Sequence, residues 1–471
     1  MVVSEGGLDT PFRPRLVSVS CIHTQLKSPM KAKKQDKRSP NVPVTDTRRR
    51  NLRILGGGAA LAAGLGAVGY KAGWFSEAPA PTPTPAPTPV PARLSLGPKL
   101  TPVTLDPPNY ANALRSANEM MEYYARSIDN PYCLIHAIRA FGKNFVRKDG
   151  SNAVNYLCTT HAADMQVNGK YYVYFELINE VHQNSFLKTF LEAGVSRDQK
   201  LTVQGRQYTV NNLAESAKAL FRFDPNNLAR FDPKYAQEHL PWGIIAFSIL
   251  MTPDSCSWTN AHGETIDLNQ VVDKGLADYE AVMARGLPQI MQNESEPDVF
   301  IKDIRSYACY GLHSMYAFVS AVNHGYRANN LEERVKKQVD VLTYRLKADA
   351  DALINTYDTE GKGAPPIAVE GLKLRSLVQM LGHAFESLNY VRLHKLMTFS
   401  PAQERRIDAG QQKFYEYLVR WRAMDIGALE TTVDSMIGKG HGVKFMSDLV
   451  IALGHADRAL KLTGPQNPDL A

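Results

Sequence analysis

Gly382-His383-Ala384-Phe385-Glu386-Ser387-Leu388 is the stretch from which the fold of this 471-residue chain is read, because looser versions of it recur. The pattern is His, then Ala or Ser, two variable residues, a small residue, and Phe or Leu. It also fits His136-Ala137-Ile138-Arg139-Ala140-Phe141, His313-Ser314-Met315-Tyr316-Ala317-Phe318 and His455-Ala456-Asp457-Arg458-Ala459-Leu460. The histidines are 70 residues apart from His313 to His383 and 72 from His383 to His455. Seventy-one residues before His313 stands Trp242, in Trp242-Gly243-Ile244-Ile245-Ala246-Phe247, where the ending is kept and the histidine is replaced. A steady period with one supersecondary unit per repeat marks arrays and closed rings. The interval from His136 to Trp242 is 106 residues, so an insertion is expected over 142–238.

The residues between these copies explain the period. Val271, Leu276, Tyr279, Val282 and Met283 share one helical face over 267–287, with charges opposite. Leu331, Val335, Val339, Leu342, Leu346, Ala350 and Leu353 repeat this over 331–355, and Ile407, Gln411, Phe414, Leu418 and Trp421 over 407–421. Each is followed by a segment apolar on nearly every side: 301–322, 371–390 and 443–460. A one-sided helix belongs on the outside of an assembly and an all-round apolar helix inside it. The expectation is an all-α fold of repeated helical hairpins forming an α/α toroid, with an open α-solenoid as the alternative. Five repeats are counted, and a sixth if the insertion hides one. The ring is favoured because the inner helices have hardly any polar face.

Towards the N-terminus the pattern predicts a helix over 109–127 and the first copy opening at Pro131. Within the insertion, 170–191 reads mostly as helix, 201–210 as a β-hairpin turning at Gln204-Gly205, and 211–221 as a helix capped by Asn211. Asp224-Pro225 and Asp232-Pro233 punctuate the exit.

The net charge of +7 misleads about the folded body. Residues 1–53 carry 12 basic and 4 acidic side chains, whereas 54–471 carry 42 against 43. Nothing in this balance points to nucleic acid as a partner. Four parts are therefore expected: a basic extension over 1–46, an export signal or membrane anchor over 47–75, a Pro-rich linker over 76–100, and the helical body over 101–471. Thr47-Arg48-Arg49-Arg50-Asn51-Leu52-Arg53, followed by the 17 mildly apolar residues 54–70, resembles a twin-arginine signal. Asn51 stands where a large apolar residue is usual. The implied location is periplasmic or otherwise extracytoplasmic, with the export translocase as partner and an uncleaved segment holding the inner membrane. The alternating prolines of 79–91 favour extended polyproline II, reaching about 40 Å.

For the chemistry, the recurring histidines either face a central cavity as ligands or acid/base groups, or pack between inner and outer helices. Packing is favoured, since repeat positions are kept most often for it. No His-x-x-x-His or Glu-x-x-His pair lies in these helices, so neither a metal nor another cofactor is expected. The loop over 252–268 is the sharper candidate, because it combines an aromatic platform with several acid/base groups at a helix connection. There Glu264, Asp254 and His262 are the candidate catalytic residues. Trp242, Trp258, His239, Asn260, His313 and His383 are the candidate ligand-binding residues. Asp267 is expected to cap the helix beginning at Leu268. The glycine-flanked loops over 357–366 and 438–442 read as solvated connections. Of the body's cysteines, Cys133 and Cys309 read as buried thiols, and Cys158 with Cys256 as the disulfide pair in an oxidising compartment. Exported location and the 252–268 loop favour a carbohydrate-active enzyme or carbohydrate binder, with Glu264 or Asp254 as acid/base and Trp258 or Trp242 stacking on a sugar. The alternative is a non-catalytic interaction or scaffold protein of the cell envelope that binds a protein ligand.

Overall fold

The computed structural model describes residues 100–127, 129–223, 237–293, 304–438 and 441–463. The export segment, the Pro-rich linker and both Asp-Pro pairs lie outside the described residues. The described chain is mostly helical with small two-stranded sheets only. Its helices are α1 Tyr110–Ser127, α2 Pro131–Phe141, α3 Ala153–Thr160, α4 Leu177–Glu180, α5 Ser185–Glu192, α6 Val210–Leu220, α7 Leu240–Leu250, α8 Leu268–Asn293, α9 Leu312–Asn323, α10 Leu331–Glu360, α11 Pro366–Leu393, α12 Pro401–Ala423, α13 Ile426–Ile437 and α14 His441–Lys461. The strands are β1 Ala162–Val167, β2 Lys170–Phe175, β3 Lys200–Val203, β4 Arg206–Thr209, β5 Ser257–Thr259 and β6 Thr265–Asp267.

Local chemistry sets the helix starts. Asn130 Oδ1 accepts from the N–H groups of Tyr132 and Cys133, and Pro131 has no N–H to lose at the first position of α2. Ser400 and Gln403 form a reciprocal capping box at α12. Asp267 Oδ1 accepts from Asn269 N at 2.8 Å, which is the expected cap of α8.

Several expectations are corrected. Residues 170–191 do not begin as helix: Lys170–Phe175 is a strand paired antiparallel with Ala162–Val167. Its turn is Asn168-Gly169, both at positive φ, a hairpin signal flanked by β-branched and aromatic residues. The second hairpin does turn at Gln204-Gly205. The next helix is capped by Thr209, paired with Asn212, rather than by Asn211. A third hairpin, β5–β6, builds most of the 252–268 loop. Over its described part, 304–322, the apolar segment is not one continuous helix: Cys309, Tyr310 and Gly311 take left-handed φ of 47°, 57° and 73° in succession, and the long helical run starts at Leu312. An additional helix, α13, lies between α12 and α14. No disulfide joins Cys158 to Cys256; Cys256 Sγ lies against Pro253 O at 3.2 Å instead.

Six apolar helices pack in a circuit: α2 on α5, α5 on α7, α7 on α9, α9 on α11, α11 on α14, and α14 back on α2. Their flanks carry the amphipathic helices. α8 touches α7 and α9, α10 touches α9 and α11, α12 touches α11 and α1, and α1 covers α14 and α2. Gly382 and Gly454, one residue before repeat histidines, let neighbouring helices approach closely. A Cβ on Gly382 would meet Ala456 N at 3.0 Å, and one on Gly454 would meet His136 Cβ at 2.9 Å.

Candidate metal centre

The small-residue spacing that brings the inner helices together also sends their histidines to one place. Ring centroids of His313 and His383 are 4.2 Å apart, His383 and His455 3.6 Å, and His136 and His455 4.8 Å. Trp242 occupies the equivalent place on α7, 4.3 Å from His313, and stacks on His182 at 3.9 Å. The expectation that these histidines pack between the two layers is therefore corrected: they pack on one another, at the junction of the inner helices.

Three residues on from several of these positions comes a second polar group, on the same helical face by the 3.6-residue period. These are Arg139, Tyr316, Glu386 and Arg458, joined by Lys188 and Glu192 from α5. Arg139 Nε donates to Glu192 Oε2 at 3.0 Å, and Lys188 Nζ lies 2.7 Å from the same oxygen. Arg139 Nη2 and Arg458 Nε both reach Glu386 Oε1, the latter at 3.0 Å, as ion pairs off the hydrogen-bond direction. Tyr316 OH donates to Glu192 Oε1 at 2.9 Å. A carboxylate buried with several cations stays ionised, and Glu192 accordingly sits well below the usual carboxylate range: burial pushes it up, but Lys188, Arg139 and Arg458 outweigh that.

The imidazoles are neutral. Burial pushes His136 and His182 down to about 3 and His313, His383 and His455 well below the ordinary value, with neighbouring positive or titratable groups adding to the shift. Their hydrogen bonds follow. The Tyr132 carbonyl can only accept, so His136 donates to it through Nδ1 at 2.7 Å. Its Nε2 then accepts from His455 Nε2 at 3.0 Å, and His455 Nδ1 accepts from Arg139 Nη1 at 3.0 Å. Glu386 Oε2 stands 3.1 Å from the same Nδ1.

His383 breaks this pattern of satisfied partners. It is 2% exposed, its Nε2 has no hydrogen-bond partner among the described residues, and its Nδ1 lies 4.0 Å from Glu386 Oε2. Leaving a buried polar atom unpaired costs about 1–3 kcal/mol. One of its ring nitrogens lies within 4.8 Å of donor atoms of Cys309 and His313, which are themselves within that distance of each other. A second such group is His383, Glu386 and His455. Its carboxylate is already held by two guanidinium groups and both nitrogens of His455 are engaged. In the cysteine-containing set the thiol takes a long 3.5 Å contact from Gln379 Nε2, and a thiol and two imidazoles are the softer donors for a cation. Tetrahedral ligands at about 2.0 Å (nitrogen) and 2.3 Å (sulfur) from zinc lie about 3.5 Å apart, so the three atoms need close in only modestly.

The space beside them is small. A cavity lined by His136, Arg139, Lys188, Trp242, His313 and His455, among others, offers about 10 Å³, room for one water.

Among the residues singled out in the sequence, Trp242, His313, His383 and His239 come to this region. His239 is buried at the start of α7, with its ring 6.0 Å from His182 and Nδ1 accepting from Gln183 N at 3.2 Å. The 252–268 residues do not form part of this cluster. Glu264 is bound by Arg222 at 2.7 Å and by Asn260 Nδ2 at 2.7 Å, and these hold its carboxyl below its ordinary value against the opposing effect of burial. Asn260 is buried and shapes the turn, its Oδ1 accepting from His262 N and Glu264 N. Trp258 Nε1 donates to Lys218 O at 2.8 Å with its ring against Phe221 and Phe247. Asp254 and His262 are exposed. Sequence reasoning missed Cys309, Glu386, Lys188 and Glu192. Cys309-x-x-x-His313 and His383-x-x-Glu386 were the available signals, read past because only His-x-x-x-His and Glu-x-x-His spacings were sought.

Comparison with protein-family models, with curated proteins and with solved structures returns no match for this chain.

Proposed function

We propose that the protein is a metalloprotein whose centre binds a transition-metal ion of the zinc type through Cys309, His313 and His383. The observation carrying this is the buried Nε2 of His383, which has no hydrogen-bond partner among the described residues, in a residue whose donor-bearing neighbours include a thiol and a second imidazole. Metal ligands must be deprotonated, a condition the neutral imidazoles of His313 and His383 already meet, whereas the Cys309 thiol releases its proton on binding. A soft thiolate with two imidazoles suits zinc or copper rather than calcium or magnesium. The closed circuit of inner helices supports reading the fold as an α/α toroid, in which the ion sits where the six inner helices converge. The twin-arginine-like segment supports an extracytoplasmic location reached through an export translocase. Among the described residues no helix is long and apolar enough to cross a membrane. A carbohydrate site has weaker support, since the central space holds about one water and Glu264 is tied into the docking of its own hairpin.

The test is cobalt(II) titration of the full chain. A near-ultraviolet thiolate-to-cobalt band saturating at one equivalent is expected, lost in Cys309→Ser and His383→Ala and kept in Glu264→Gln. A band that survives in Cys309→Ser would assign the metal elsewhere and sink the reading.

A further inference from the structure

We propose that the ion held by Cys309, His313 and His383 is copper and that the centre carries single electrons, passing between Cu(I) and Cu(II) with its ligands unchanged. This rests on the metal reading above and adds to it the identity of the ion and the chemistry it performs. One cysteine sulfur and two imidazole nitrogens are the three strong donors of copper sites that transfer electrons, and a given site binds copper(II) more tightly than the other divalent first-row ions. Structural zinc sites take four protein ligands instead. Among the described residues this set brings together three.

The surroundings suit an ion that changes charge without changing shape. Copper(II) in an open site takes on water to reach a tetragonal set, whereas copper(I) prefers few, soft ligands. An electron moves faster than nuclei do, so transfer is easy where the protein holds one geometry for both states. Here Cys309 and His313 are each 6% exposed and His383 2%, which keeps bulk water from the ion. His313 and His383 stand on the packed inner helices α9 and α11. Cys309 stands on the left-handed turn, which is pinned from α8 and α10. Arg345 Nη2 donates to Tyr310 O at 2.9 Å and its Nη1 to Tyr279 OH at 3.2 Å, while a Cβ on Gly311 would meet Tyr279 Cε2 at 2.7 Å. Arg345 is itself 1% exposed, and its Nε donates to Asp349 Oδ2 at 3.0 Å. Gln379, one turn before His383 on α11, donates its amide N–H to Cys309 Sγ at 3.5 Å. Hydrogen bonds to the cysteine sulfur are among the levers that set the potential of such a copper ion. Burial of Cys309 also keeps foreign thiols away, so the thiolate is not drawn off as a disulfide when copper is oxidised. The thiol proton leaves once, on loading; after that Cu(II) takes one electron to give Cu(I), and no bond to a ligand is made or broken.

The experiment loads the full chain with one equivalent of copper(I) under argon, oxidises it with ferricyanide and reduces it with ascorbate, reading visible absorption and electron paramagnetic resonance. An intense thiolate-to-copper band in the visible and a narrow copper hyperfine splitting are expected on oxidation, bleached by ascorbate and restored by ferricyanide over repeated cycles. Both signatures are expected to be lost in Cys309→Ser and His383→Ala. Cys309→Gly, which suits the left-handed turn, replaces Cys309→Ser should that variant fail to fold. Weak d–d absorption with a wide hyperfine splitting in the unmodified chain, or bleaching that ferricyanide does not reverse, overturns this inference alone when cobalt gives its thiolate band. Absence of the cobalt thiolate band in the unmodified chain overturns the metal reading and this inference with it.

Discussion

The imidazoles of His383 and His455, 72 residues apart in sequence, lie with ring centroids 3.6 Å apart on neighbouring inner helices. Two imidazolium ions at that distance in a desolvated core would repel strongly. The contact therefore excludes two charged rings, and burial disfavours even one, which makes the centre a place where protonation and folding are linked.

For the metal-free protein the linkage has a definite sign. His136 and His182 are held at about 3 when folded and return to about 6.5 when unfolded, so the unfolded chain binds more protons between those values. Their contribution is complete above pH 6.5 and is lost as pH falls towards 3. Glu180, raised by burial to about 8, acts oppositely between pH 4.5 and 8. Denaturant midpoints at pH 4.5 to 8 are expected to fall on the acid side, with Glu180→Gln steepening the fall by raising the upper end. A profile flat through this range would contradict neutral buried rings.

Glu386 receives Arg139 and Arg458. Removing its charge leaves two buried guanidinium groups short of a partner, so Glu386→Gln is expected to destabilise by about 3–5 kcal/mol in chemical denaturation. A cost below about 1 kcal/mol would mean that water reaches this pair.

Gly454 lies against His136, with 2.9 Å available to a Cβ. Gly454→Ala raises helix propensity by about 1 kcal/mol, yet it forces α14 from α2 at an estimated cost of about 1–3 kcal/mol. A net loss of stability with weaker cobalt binding is expected. Unchanged cobalt affinity would show that the centre does not depend on this approach.

Cys309 and Tyr310 occupy left-handed conformations that cost an L-residue about 1–2 kcal/mol each. Cys309→Gly relieves part of this strain while deleting the thiol. Its metal-free form is expected to be at least as stable as the unmodified protein and to show no thiolate-to-cobalt band. Strong destabilisation without metal would assign Cys309 a packing role instead.

Asn260 anchors the β5–β6 hairpin through Phe221 O and its own turn. Asn260→Ala is expected to cost about 1–3 kcal/mol in stability. Cobalt affinity should stay the same, since this hairpin and the histidine cluster share no residue.

What the sequence by itself determined is helical texture: a 70–72-residue period and alternating one-sided and all-round apolar helices are local properties of composition and spacing. Helices α10, α11, α12 and α14 were legible for that reason, and so was the turn at Gln204-Gly205. The Asn168-Gly169 hairpin was legible in principle but lost under an aromatic run that also suits a helix. The break at Cys309 to Gly311 carries no compositional mark, because only surrounding packing holds Cys309 and Tyr310 left-handed. The histidine period was visible, but its direction was not. Which way a residue on an all-round apolar helix points depends on how neighbouring helices close around it, and glycines such as Gly382 and Gly454 set that closeness. Only the tertiary structure decided that His136, His313, His383 and His455 meet, that Cys309 joins them, and that charges from α2, α5, α11 and α14 neutralise one another there, since each of these contacts spans segments of chain that no local rule connects.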